Sequence, residues 1–90
     1  MAVVYLDRFT FPVGRFRREL VYVNNVVNDD VVKINLSKIY SASIALASGV
    51  ATATTDPSVT INTSGGREVV TIRDPDGVTG TVYEIDVLGQ

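Results

Sequence analysis

The run "VYEIDVLG", Val82 to Gly89, alternates apolar and charged side chains without interruption. Successive side chains of a strand point to opposite faces, so Tyr83, Ile85 and Val87 share one face while Glu84 and Asp86 share the other. That is the signature of a half-buried antiparallel strand. The same period of two returns where Val59 and Ile61 alternate with Ser58, Thr60 and Asn62, and where Val70 and Ile72 alternate with Thr71 and Arg73. It returns again where Val32, Ile34 and Leu36 oppose Lys33 and Asn35.

The residues between these runs favour tight turns. "TSGG", Thr63 to Gly66, supplies the glycines that a hairpin needs for positive φ, and "DPDG", Asp74 to Gly77, has Pro at i+1 and Gly at i+3 of a type I turn. "VNDD" before Val31 and "TTDPS" before Val59 read as loops on the same chemistry. Val3 to Phe11 and Phe16 to Val27 are rich in Val, Tyr and Phe and read as extended, with Pro12 and Gly14 as the break between them.

"LSKIYSASIALAS" is ambiguous by period. Leu36, Ile39, Tyr40 and Ala47 could line a helix, whereas Tyr40, Ala42, Ile44 and Leu46 could line a strand with small residues opposite. A tight turn near Ser37 to Ile39 followed by a strand is the favoured reading. The expected fold class is therefore all-β: a small antiparallel β-sandwich, or a partly open barrel, of about seven short strands. Residues 1–90 form a single domain, with residues 1–14 a candidate extended arm.

Composition narrows the chemistry. With no Cys there is no disulfide framework or thiolate metal site, and with no His the commonest general base and metal ligand are both missing. An apolar fraction of 46% with 20% charged residues belongs to a chain that folds. The run from Ala42 to Ala53 is too short and too interrupted by Ser, Gly and Thr for a membrane helix, and no basic region precedes the first apolar residues as a secretory signal would require. Synthesis in the cytoplasm is expected.

Charge is segregated along the chain. Residues 1–20 carry Arg8, Arg15, Arg17 and Arg18 against Asp7 and Glu19, a net +2; from residue 54 onward two arginines face six carboxylates, a net −4. Such a basic front and acidic back suits contact between copies or docking on a charged neighbour. "GRFRREL", Gly14 to Leu20, concentrates the positive charge, and Phe16 and Tyr22 give it the aromatic interleaving of single-strand binders. A pI near 4.8 and the lack of a second basic segment argue against nucleic acid. On a strand, Arg15, Arg17 and Glu19 share one face and Phe16, Arg18, Leu20 and Tyr22 the other, so Arg18 lies among apolar neighbours and is placed to reach a carboxylate, including one on another chain. The candidate partner interface is Arg8, Phe11, Arg15, Phe16, Arg17 and Arg18.

No catalytic, cofactor or metal residues are assigned. The Asp-x-Asp-Gly of "DPDGVTG" resembles the start of a calcium loop, but Val78 and Ile85 occupy positions where oxygen ligands are required. Glu84 with Asp86, or Asp74 with Asp76, could in principle flank a bond, but on an alternating strand the first pair is simply its solvated face. Doubled valines at Val3-Val4, Val26-Val27, Val31-Val32 and Val69-Val70 place apolar groups on both faces of their strands, which is either ordinary strand preference or a sign that a partner covers the second face. Exposed sheet edges need guards, and "TTDPS" with Lys33, Glu84 and Asp86 are candidates.

The segments "VVKINLSKIYSASIALASG" and "VTGTVYEIDVLG" resemble those of small all-β virion proteins of tailed bacteriophages, in particular capsid cement (decoration) proteins. The resemblance spans Val31 to Gly89 and is one of texture, with no signature motif. It implies a virion component made in the host cytoplasm that binds the outside of the major capsid protein shell and stabilises it. Its partners would be the major capsid protein and further copies of itself, as a homotrimer or homodimer, with no specific nucleic acid and no membrane; the basic amino-terminal segment would make the contact. A tail, fibre or connector module is the alternative within that class. In another class stands a carbohydrate- or single-stranded nucleic-acid-binding module, with Tyr5, Tyr22, Tyr40 and Tyr83 as stacking candidates.

Overall fold

The computed structural model describes residues 3–24, 26, 28–48, 57–73 and 81–90. In chain order its strands are β1 (Val4–Val13), β2 (Phe16–Asn24), β3 (Val31–Lys33), β4 (Ile39–Ser48), β5 (Ser58–Ser64), β6 (Arg67–Arg73) and β7 (Val82–Gly89). They form two antiparallel sheets, a four-stranded one ordered β1-β2-β7-β4 and a three-stranded one ordered β3-β6-β5. The fold is thus the all-β sandwich that the alternation predicts, with two separate sheets in place of a barrel.

The core is what the alternating runs bury. Val21 and Val23 of β2 and Tyr83, Ile85 and Val87 of β7 meet Val32, Val70 and Ile72 from the opposite sheet. Burying each such branched side chain contributes about 1.5–3 kcal/mol, and the buried phase of β7 is the one its sequence marks. Val32, Ile34 and Leu36 all enter the core, but the ladder of β3 stops at Lys33. Beyond it the Asn35 N–H bonds to a side-chain carboxylate and no longer to a strand.

The hairpin expected of "TSGG" forms, and the break at Gly14 is a second hairpin. Gly65 and Gly66 sit at φ 61° and 81° between the paired Ser64 and Arg67, the geometry of a type I′ turn. Gly14, at φ 62°, turns the chain between Val13 and Phe16. This turn decides the fate of the expected arm: from Val4 to Val13 residues 1–14 are the outermost strand of the larger sheet, paired with β2 throughout.

"LSKIYSASIALAS" becomes strand β4, as expected. Its phase differs from the simple expectation because the register slips between Ile39 and Ser41. The bulge sends Ile39 into the core and leaves Tyr40 exposed; Ala42 and Ile44 pack against the core while Leu46 is exposed. At the far end of β7 the backbone closes a clasp, with the Gln90 N–H donating to the Lys38 carbonyl at 2.9 Å. A Cβ on Gly89 would stand 1.9 Å from that carbonyl, so only glycine fits there. Asn28 to Asp30 form the turn expected of "VNDD", whereas "DPDG" and the first residues of "TTDPS" lie outside the described residues.

Candidate docking surface

The hairpin β1–β2 places side chains on two faces. Antiparallel partners share a face, so Asp7, Phe9, Phe11 and Val13 lie beside Tyr22, Leu20, Arg18 and Phe16 on the outer face of the larger sheet. The register of β2 with β7 extends the same face to Glu84, Asp86 and Leu88, and that of β7 with β4 extends it to Ala45, Ser43 and Ser41. Phe9 is 50% exposed, and Phe11 and Val13 are exposed as well. Rings meet edge to face at Phe9–Tyr22 and at Phe16–Tyr40, where the β4 bulge brings Tyr40 onto Phe16.

Arg18 holds the centre of this face. Its Nε donates to Asp86 Oδ1 at 2.8 Å and its Nη2 to Asp86 Oδ2, a two-point carboxylate clamp, while the guanidinium carbon lies 5.9 Å from the Phe11 ring. The carboxylate that Arg18 reaches therefore belongs to its own chain: Leu88 is its direct partner across the β2–β7 register, and Asp86 is the diagonal neighbour. This bond, reinforced by the Asp86 charge, holds the Arg18 pKa above its ordinary value. Tyr22 donates to Glu84 Oε2 at 2.7 Å, and that hydrogen bond is the main cause of a phenol pKa raised above the usual one. Glu84 and Asp86 are consequently half-buried and bonded, more than a solvated face. They also lie on an interior strand and guard no edge.

On the inner face the arrangement differs. Glu19 follows the phase of Val21 and Val23 and is 0% exposed. Arg8 Nη1 donates to its Oε2, the Asn35 N–H donates to both of its oxygens at 3.2 Å, and Thr10 Oγ1 stands 3.5 Å away. Nearby, Tyr5 Oη accepts the Lys33 N–H at 3.0 Å. The open side of the sandwich, where β1 faces β3 without pairing, is thus sealed by side chains that supply acceptors to the backbone of Lys33 in β3 and of Asn35 beyond it. Arg8, expected at the partner interface, faces inward and belongs to this seal. Glu19 was legible as a core residue from its phase alone; grouping it with Arg15 and Arg17 as a polar side of the strand misses it.

The free edge of β1 is protected. Pro12 offers no N–H to an incoming strand, the register slips between Tyr5 and Asp7, and the Arg8 N–H is taken by Asp7 Oδ1 at 2.9 Å. Of the six expected interface residues, Phe11, Phe16 and Arg18 share the outer face. Arg15 and Arg17 are exposed at the hairpin tip, and neither joins an ion pair among the described residues. The four tyrosines do not form one stacking platform. Tyr83 is in the core, Tyr5 faces the seal, and Tyr22 and Tyr40 lie apart on the outer face, with the Tyr40 hydroxyl 3.0 Å from Gln90 Oε1. No family model, curated protein or solved structure matches the chain.

Proposed function

We propose that this protein is a non-catalytic structural module that works by association, as a cement protein binding the outside of a bacteriophage capsid shell. The observation that carries the reading is the surplus of sticky surface on the β1–β2 hairpin. Leu6 at 49% and Phe9 at 50% exposure, with Phe11 and Val13, leave more apolar area in water than the core requires, beside two arginines with no ion-pair partner among the described residues. Blocking of the β1 edge supports a module that meets its partners by face and tip, since main-chain pairing there is obstructed. A shell offers many equivalent sites, so modest contacts at each suffice for stable decoration.

Co-sedimentation tests the proposal. Shells of the encoding virus, prepared without this protein, should carry it into the pellet, and Arg15→Glu/Arg17→Glu should leave it in the supernatant. A wild-type chain that stays soluble beside intact shells would refute the role.

A further inference from the structure

The outer face of the larger sheet is uneven in a specific way. Its β1–β2 half is tall, with Phe9, Phe11 and Arg18, whereas its β7–β4 half is low along Ser41, Ser43 and Ala45 of β4, with Tyr40 standing up only at the end beside Phe16. A depression of about 370 Å³ lies between the two, with Ser41, Ser43, Asp86 and Leu88 on its low side and Val13 and Arg18 on its tall side. Ridge and groove lie side by side on one surface and run in the same direction.

We infer that the occupant of this face is a second copy of the chain, packed face to face about a two-fold axis that runs along the strands between β2 and β7. This deepens the association reading above and rests on it. A two-fold in that position sets β1 over β4 of the second copy and β2 over its β7. Phe11 then meets Ser41 and Phe9 meets Ser43, so each large side chain falls on a small one. Arg18 comes beside Leu88 and Asp86 of the second copy, and Tyr22 meets its Glu84; each donor thus finds across the interface the same carboxylate that it binds within its own chain. An axis across the strands would place ridge on ridge and leave both grooves empty. Extension of the sheet at its β1 edge is obstructed by Pro12, the slip before Asp7 and the Asp7 cap on Arg8.

Two consequences follow from the symmetry. Four strands about 4.8 Å apart and a contact length of about 30 Å give roughly 550 Å² per copy, the size of a weak, transient interface, so the dimer should form in a concentration-dependent way. An axis along the strands also keeps both hairpin tips at one end, so Arg15 and Arg17 of the two copies form a single paired basic end, free to meet an acidic partner such as a shell.

Sedimentation equilibrium of the full chain across a wide concentration range tests the inference. The expected species is twice the 9.7 kDa chain mass. Ser43→Trp fills the groove from an exposed position and should raise the dimer Kd at least about tenfold, as should Phe9→Ala. Phe9→Ala/Ser43→Phe exchanges the large and small partners and should restore the Kd to near the wild-type value. A chain monomeric up to the solubility limit, a dimer indifferent to Ser43→Trp, or a double variant no better than its parents would each overturn the inference. A dimer that ignores capsid shells would remove the cement role and leave this interface standing. A monomer that pellets with shells, and loses that ability on Ser43→Trp, would instead assign the face to the shell protein.

Discussion

Arg18 and Glu19 are neighbours on β2, yet their ion pairs live in different worlds. Glu19 is fully buried, and its partner Arg8 keeps only 26% of its side-chain surface; Arg18 and Asp86 keep 43% and 25%. The inner pair also satisfies the backbone N–H of Asn35, just beyond β3, and so joins the sheets at their open side. The outer pair joins two strands that the ladder already holds, and much of its surface remains available. Similar chemistry one residue apart therefore supports folding on one face and leaves the other face free for the proposed association, because desolvation makes the inner carboxylate intolerant of losing its partner.

The sharpest way to break this contrast is Arg8→Met. It leaves Glu19 buried without its cation and should cost about 3 kcal/mol in urea unfolding, near the lower bound for a broken buried pair because Arg8 is partly exposed. Arg8→Met/Glu19→Leu should recover only part of that loss, since an apolar pair carries no charge to desolvate but leaves the Asn35 N–H without its acceptor. An equal loss in single and double variants would show that the pair matters for shape and not for charge. Next in size, Arg18→Gln should weaken self-association in sedimentation and Arg17→Glu should weaken pelleting with shells, both with the unfolding midpoint almost unchanged, and added salt should weaken that pelleting as well. Comparable losses of stability and association in those variants would erase the division between the faces.

The smallest expected effect is alkaline. Because the Tyr22 pKa is raised in the folded state, chiefly by its bond to Glu84, the bond's contribution is complete below the ordinary phenol value of about 10 and is lost as pH rises through the higher folded value. Phenolate absorbance should therefore include a late-titrating contribution from Tyr22, and Tyr22→Phe should remove one phenol from the late part of the curve. A late part that the substitution leaves unchanged would show that Tyr22 is not the perturbed phenol.

Much of the fold is readable residue by residue. The alternation at Val82 to Gly89 names both faces of β7 correctly, and the glycines of "TSGG" sit at the positive φ their hairpin demands. The bulge at Tyr40 is not readable, because it arises where β4 must follow β7 while the Gln90–Lys38 clasp holds the end of the pair. Of the candidate site, the outer alignment of Phe16 with Arg18 follows from period alone. The inward turn of Arg8 and the capture of Arg18 by Asp86 depend on registers between strands far apart in sequence.

Local stereochemistry makes side-chain direction along a strand a property of the sequence itself, and so the strands, their wet and dry faces and the sharp turns were determined there. Which charge meets which, where a residue steps out of phase, and that a tall and a low half share one surface were decided only by tertiary structure. Those outcomes depend on the order and offset of strands, which are set by the collective packing of the core and not by any short stretch of chain.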